Sequence, residues 1–328
     1  MNNPYFIFEI TDDCNHNCCY CYNIWKNNKI HKTQYKTKLA LKKNYTLDFK
    51  NIKVLFDKIM GNVEVEGLTF AGGEPLLHPD IFKSAEYLHS MNVFKLGVAT
   101  NGTLLYSENI KKLIDSGIKY FEISMPSLNK TIYKTLTSNG NFDILKKNIL
   151  ELRKYDVYIC ISAVITKINI KGITELFEFC RACSINSLAL NRLCYSGSAI
   201  KNFKNLNPEY YELKNLFNLL NTLNSGDSSM PVRFTIPFEN CIYKCNELSN
   251  LEFSRCRCGI DKWVIDSAGN LRICEQSEEI LGSLLKKDFI ELSNSENVKN
   301  LLNKTKFPEC SLCSDFTICR SGCKYVLI

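Results

Sequence analysis

Cys14-Asn15-His16-Asn17-Cys18-Cys19-Tyr20-Cys21 places three thiols on a C-x3-C-x2-C spacing. The stretch follows an apolar, strand-like run, Tyr5-Phe6-Ile7-Phe8-Glu9-Ile10. Three closely spaced cysteines on one loop can wrap one face of a [4Fe–4S] cube. The fourth iron then has no protein ligand and is open to a small molecule. The rival is zinc, which in a structural site takes four protein ligands. The nearby candidate, His16, lies inside the loop and would have to reach under strain. A second stretch bears on the choice. Gly72-Gly73-Glu74-Pro75 ends another apolar run, Leu68-Thr69-Phe70-Ala71. Glycines at a strand end let a backbone approach a ligand closely, and a carboxylate beside them can hold an amino group.

Together these stretches resemble the radical S-adenosylmethionine (SAM) superfamily, whose loop reads C-x3-C-x-Φ-C with Φ aromatic, here Tyr20, and whose second motif is GGE. The resemblance implies that Cys14, Cys18 and Cys21 hold a [4Fe–4S] cluster and that SAM chelates its open iron. Cleavage of SAM then yields a 5′-deoxyadenosyl radical that abstracts a substrate hydrogen. Gly72, Gly73 and Glu74 would receive the methionyl amine, and Tyr20 would lie by the adenine. Thr100-Asn101-Gly102 resembles the family's TNG turn, and Ser124 stands where the family often places a serine near SAM. The arginine that meets the SAM carboxylate in relatives falls on Thr137 here. Lys134 or Arg192 would have to supply that charge.

The chain of 328 residues is long enough for one large domain and a small one. It contains no apolar run of about eighteen residues. Its N-terminus reads as a strand rather than a signal peptide, so a cytoplasmic location is expected. Seventeen cysteines, an odd number in clusters, favour metal over disulfides. The net charge of +7 is spread along helical stretches, which makes nucleic acid an unlikely partner. Lys26, Lys29, Lys32, Lys36, Lys38, Lys42 and Lys43 occur without an acidic residue between Asp13 and Asp48. This segment is either a solvated loop or a basic flap that steers an acidic substrate.

Strand-like runs at Tyr5–Thr11, 67–71, 95–100, 120–125, 157–164 and 187–193 alternate with amphipathic helical patterns. Gly61 is placed to end a helix, and Asp80 to cap the helix that begins at Ile81. Alternation of this kind builds a parallel sheet with helices outside. Six units match the family's partial (β/α)6 TIM-like barrel, with sites at the C-terminal ends of strands. A helix with apolar Tyr210, Leu213, Leu216, Phe217 and Leu220 follows, then a linker rich in Ser, Asn and Gly. The expected division is residues 1–225 for the barrel and 226–328 for a cysteine-rich iron–sulfur domain.

That second segment carries Cys256-Arg257-Cys258-Gly259, a turn at Gly269, Cys274, and then Cys310, Cys313, Cys319 and Cys323. The order resembles the SPASM domain, C-x(9–15)-G-x4-C, gap, C-x2-C-x5-C-x3-C. The resemblance implies one or two auxiliary [4Fe–4S] clusters; structural zinc is again the rival. Cys256, Cys258, Cys274, Cys310, Cys313, Cys319 and Cys323 are the expected ligands. The family's further downstream cysteine has no counterpart before Ile328, and Cys241 or Cys245 is a candidate to replace it. Cys194, after the sixth strand, either faces the barrel mouth as a hydrogen-atom donor or is simply packed. SPASM-bearing members mostly modify peptides. The expected function is therefore maturation of a ribosomally made peptide by crosslink, thioether, epimer or oxidation. Its partners are a flavodoxin- or ferredoxin-type electron donor and, because the chain opens on its first strand, a separate leader-binding protein. Oxidation of a small molecule and formylglycine maturation of a sulfatase are the alternatives.

Overall fold

The structure is a computed structural model that describes residues 3–26, 46–226 and 229–326. The lysines from Lys29 to Lys43 lie outside the described residues. Six parallel strands form the centre: β1 (Tyr5–Thr11), β2 (Gly67–Gly72), β3 (Leu96–Thr100), β4 (Tyr120–Ser124), β5 (Tyr158–Val164) and β6 (Ser187–Asn191). The helices between them are α1 (Phe49–Met60), α2 (Ile81–Ser90), α3 (Ser107–Asp115), α4 (Lys130–Thr137), α5 (Phe142–Leu152) and α6 (Ile173–Ala182). Beyond β6 come α7 (Ala199–Leu206) and α8 (Tyr210–Leu223).

The sheet runs on past the six expected strands at both edges. β7 (Val232–Phe234) and β8 (Glu252–Phe253) continue it beside β6. β9 (Lys262–Ile265) pairs in parallel with β1, and β10 (Asn270–Arg272) and β11 (Ile280–Ser283) fold back antiparallel beside β9. The chain after residue 229 thus covers both edges of the central sheet, edges that would otherwise expose unpaired backbone groups. The result is a TIM-like α/β fold with a parallel sheet, as the alternation predicts. No helix among the described residues is long and apolar enough to cross a membrane.

The strands bury alternate residues outward under the helices. Phe6, Phe8, Phe70, Val98, Phe121 and Ile123 meet Phe56, Leu55, Leu88, Leu113 and Leu145 there. Burying side chains of this size contributes about 1.5–3 kcal/mol each. The alternate residues of β4 and β5, Tyr120, Glu122, Ser124, Cys160 and Ser162, fall on the lumen side. Tyr120 stacks on Tyr158 with ring centroids 5.5 Å apart.

One helix start differs from expectation. Asp80 makes no side-chain cap bond to α2. Its Oδ2 instead accepts from Phe49 N at 3.1 Å, joining the start of α1 to that of α2. α8 opens with a capping box between Glu209 and Glu212.

Candidate active site at the strand ends

The loop carrying Cys14, Cys18 and Cys21 leaves β1 and is held by three neighbouring elements. Asn17 N and Cys19 N donate to Thr137 O and Leu136 O, at 3.2 and 3.0 Å, at the end of α4. Asn15 Oδ1 accepts from Asn101 Nδ2 at 2.7 Å, and Asn15 Nδ2 donates to Thr103 Oγ1 at 3.0 Å, in the turn after β3. Asn202 Nδ2 on α7 donates to Cys19 O at 3.0 Å. Burial raises the Cys18 thiol well above its ordinary range, and Cys21 and Cys14 raise it further. Cys14 and Cys21 thus lie near enough to Cys18 to act on its thiol.

Gly72 and Gly73 are glycine because the chain beside them leaves no room. A Cβ on Gly73 would lie 2.0 Å from Asp13 O, and one on Gly72, where φ is +114°, would lie 2.4 Å from Thr11 O. Gly73 N and Glu74 N donate to Thr11 O and Asp13 O, each at 2.7 Å. The close approach is thus to the root of the cysteine loop, and it locks the second motif to the first. Glu74 is fully buried. Its Oε1 accepts from Thr100 Oγ1 at 2.7 Å and Leu76 N at 3.2 Å, and its Oε2 from Asn101 N at 2.8 Å. A carboxylate has about four lone-pair positions, so Oε2 retains one beyond these donors. Burial pushes the Glu74 carboxyl up to about 7 against those hydrogen bonds.

Two further residues were not singled out from the sequence. Asn23, just past the loop, is buried and donates through Nδ2 to Gly72 O at 2.7 Å. Its Oδ1 has no hydrogen-bond partner. The buried Tyr133 hydroxyl on α4 is likewise unpartnered, and it lies near enough to Cys18 to be raised by its charge as well as by burial. These atoms give the fit test for the implied cofactors. An unpaired acceptor beside the glycines suits a ligand ammonium, and an unpaired hydroxyl beside Cys18 suits a thiolate or sulfide. A cluster and SAM fit the residues present. Nothing in the spacing singles out Asn23 or Tyr133, because each is placed by tertiary packing.

Tyr20 packs with Cys19 against Leu136, Leu193, Ala199 and Leu206. Burial and its hydrogen-bonded neighbour Cys18 raise its hydroxyl. Ser124 ends β4 beside Ser162 of β5. Below it, burial raises the Glu122 carboxyl while its hydrogen bond to Ser162 opposes the rise. Lys262 pairs with Glu275 at 2.6 Å across the lumen floor. Arg192 is not free to meet a carboxylate at the mouth. It is buried, bonded to Glu239 at 2.7 Å and Pro237 O at 3.2 Å, and stacked 4.2 Å over Phe238. Lys134 is exposed on α4.

The C-terminal thiols fall into two neighbourhoods. Cys258 and burial raise the Cys256 thiol; the Cys258 thiol is pulled down by Cys256 but raised on balance by Cys274 and burial. Cys194 lowers the Cys323 thiol, against burial and Cys256, which raise it. Cys194 is buried and packs on Cys323 and Val326, so it faces this set rather than the barrel mouth. In the second, burial raises the Cys241 thiol, and Cys319, Cys310 and Cys313 raise it further. Cys160 and Cys180 are buried in the barrel. Among the described residues, no three His, Cys, Asp or Glu side chains converge closely enough to hold a single metal ion. The thiolates that ligate a four-iron cube, one at each iron corner, stand further apart than the ligands of one ion.

The family model of the Radical SAM superfamily matches residues 8–180. A probable GTP 3′,8-cyclase from Methanocaldococcus jannaschii is 29% identical over 179 residues, 53% of this chain and 53% of that protein. The Fe-coproporphyrin III synthase of Methanosarcina barkeri is 24% identical over 60% of this chain and 46% of that protein. The chain thus spans about half the length of these curated relatives. Among solved structures, Streptococcus suis SuiB bound to its precursor peptide SuiA superimposes with a TM-score of 0.74 at 18% identity, covering 98% of this chain and 72% of that one. anSMEcpe with bound AdoMet and a Cp18Cys peptide gives 0.69 at 19% identity, covering 97% and 88%. With more than half of its length matched by the family model, and with the cysteine loop and the Gly72-Gly73-Glu74 strand end joined as described, the chain belongs to the Radical SAM superfamily.

Proposed function

We propose that this enzyme modifies a peptide, with Cys14, Cys18 and Cys21 holding a [4Fe–4S] cluster and a SPASM-type C-terminal unit holding auxiliary clusters. The cluster with SAM would supply a 5′-deoxyadenosyl radical. The methionyl ammonium would be received by Asn23 Oδ1, the remaining position on Glu74 Oε2 and the backbone of Gly72 and Gly73. Ser124 would stand beside the ribose or carboxylate, and Tyr20 beside the adenine. Cys256, Cys258, Cys274 and Cys323 are the donors for one auxiliary cluster, and Cys310, Cys313 and Cys319 for the other.

The observation that carries the peptide reading is the reach of the structural likeness. The match to SuiB and anSMEcpe, both solved with peptides, takes in 97–98% of this chain. The curated relatives named for GTP and porphyrin chemistry match only about half of it. Those relatives favour a second reading, a radical SAM enzyme acting on a small molecule. The two separate in one experiment. Anaerobically reconstituted enzyme is given SAM and a reductant with, in turn, GTP, Fe-coproporphyrin and the short peptide encoded nearest its gene. 5′-Deoxyadenosine and product masses are then measured. Stimulation with a mass change in the peptide supports the proposal. Turnover of GTP or the porphyrin without turnover of the peptide overturns it.

A further inference from the structure

The barrel lumen is floored by tyrosines lying over glycines. A Cβ on Gly97 would meet the Tyr120 ring at 2.8 Å, and one on Gly67 would meet the Tyr5 ring at 2.7 Å. The Tyr5 hydroxyl is 2.7 Å from Thr69 Oγ1, and Tyr120 is held by its stacking on Tyr158. Above these rings the inward positions of β2 to β6 are short: Ala71, Ala99, Ser124, Ser162 and Ala189.

Glu122 is the exception. It stands on β4 with Ala99 beside it on β3 and Cys160 on β5. Ala99, Glu122, Ser124 and Asn191 are all half-buried rather than closed off, so the lumen is open from the strand ends down to this carboxylate.

The cations of this region are committed to other partners. Arg272 is bonded to Glu9, Lys262 lies 2.6 Å from Glu275, and Arg233 on β7 lies 2.8 Å from Glu252. Among the described residues, none of these cations is in ion-pair contact with Glu122. Its polar neighbour is Ser162, whose Oγ also accepts from Asn191 Nδ2 at 3.2 Å. A carboxylate taken out of water without a cation is the costly arrangement. One that is open to the mouth can be neutralised by a cation that the ligand carries in.

Reach agrees with charge. Glu122 is two residues in from the strand end at Ser124, roughly 7 Å at about 3.3 Å per residue. A long basic side chain spans that depth, whereas the backbone amides of a peptide at the mouth do not. Walls of Ala and Ser leave room for its unbranched stem.

We propose that Glu122 receives a basic side chain of the peptide, lysine or arginine, inserted head-first from the strand ends. This rests on the reading of the protein as a peptide-modifying enzyme, and it names what that peptide must carry. Glu122 is then a specificity residue: it holds the charged head deep in the lumen and so fixes which part of the peptide lies beside the cysteine loop.

The test is anaerobic calorimetry on the cluster-loaded, SAM-bound enzyme without reductant, so that binding is read without turnover. The probes are Nα-acetyl-L-lysine methylamide, its arginine counterpart and its norleucine counterpart, which keeps an aliphatic stem but carries no charge. Wild type should bind a basic probe roughly tenfold or more tightly than the norleucine probe. Glu122→Gln should lose that preference while its SAM affinity stays unchanged. Glu122→Asp, which keeps the charge but withdraws it by one methylene, should show a reduced preference, and it serves where the amide variant does not fold. Equal binding of the probes by wild type, no saturable binding of any of them, or a preference that survives Glu122→Gln overturns the proposal. A fall in SAM affinity in Glu122→Gln would assign the residue to the cofactor and overturns it too. The peptide reading fails separately. If the encoded peptide is modified and the probes bind alike, this inference alone falls. Turnover of GTP or the porphyrin without turnover of the peptide removes both.

Discussion

Thr100 Oγ1, at the end of the third strand, donates a 2.7 Å hydrogen bond to the fully buried carboxylate of Glu74 at the end of the second. With Asn101 N and Leu76 N on the same carboxylate, this bond ties the GGE strand end to the TNG turn. Glu74 is then as much a structural joint as a ligand-facing group.

Glu74→Gln should act on stability and on its pH dependence together. A carboxamide nitrogen cannot accept, so at least one buried donor loses its partner, at a cost of about 1–3 kcal/mol. The folded-state value near 7 exceeds the usual 4.5. The folded protein therefore binds the proton more tightly. Its contribution is complete below about pH 4.5 and is lost as pH rises through 7, over a span worth about 3 kcal/mol. Urea unfolding of the cluster-free protein between pH 5 and pH 8 should show wild-type stability falling more than that of Glu74→Gln. Parallel curves would remove Glu74 as the source.

Asn23→Ala should weaken SAM binding. A hydrogen bond to a charged ammonium is worth about 1.5–3 kcal/mol, which is roughly a tenfold to hundredfold change in affinity. Anaerobic calorimetry of the cluster-loaded protein is the measurement. Unchanged affinity would mean that Asn23 Oδ1 does not meet the ligand.

Arg272 and Glu9, both fully buried, are bonded to one another between β10 and β1. Burial raises the Glu9 carboxyl and the guanidinium opposes that rise. Arg272 also donates to Ser277 O at 2.9 Å and Glu275 O at 3.2 Å. Arg272→Met alone leaves a buried carboxylate without its partner and should cost about 3–5 kcal/mol. Combining it with Glu9→Gln should recover much of that loss. A double variant no more stable than Arg272→Met, by urea unfolding, would show that the pair is not the cause.

The fold was legible where the chemistry is local. The apolar run Tyr5–Thr11 and the three cysteines after it set the first strand and its loop, and Leu68 to Ala71 set the second. The sheet's outer strands were harder to read, since β7 and β8 span three residues and two, too few for a period to show. Asp80 has the composition of a cap for α2, yet its carboxylate is drawn to Phe49 N by packing of the neighbouring helix. Arg192 reads as a cation at a strand end, and only the folded chain reveals that Glu239, distant in sequence, has claimed it. The cysteine spacings led to the expectation of metal binding in the C-terminal segment. Which thiols face each other, including Cys194 against Cys323, depends on how that segment folds onto the barrel.

The most direct test of the central claim is SAM cleavage by the barrel site alone. Wild-type protein, and the variant with Cys14→Ala, Cys18→Ala and Cys21→Ala, would be reconstituted anaerobically and given SAM and dithionite. 5′-Deoxyadenosine and iron per chain would be measured for both. The account predicts 5′-deoxyadenosine from wild type and none from the variant, which nonetheless retains its C-terminal iron. Continued SAM cleavage by the variant, or none by cluster-loaded wild type, would contradict it.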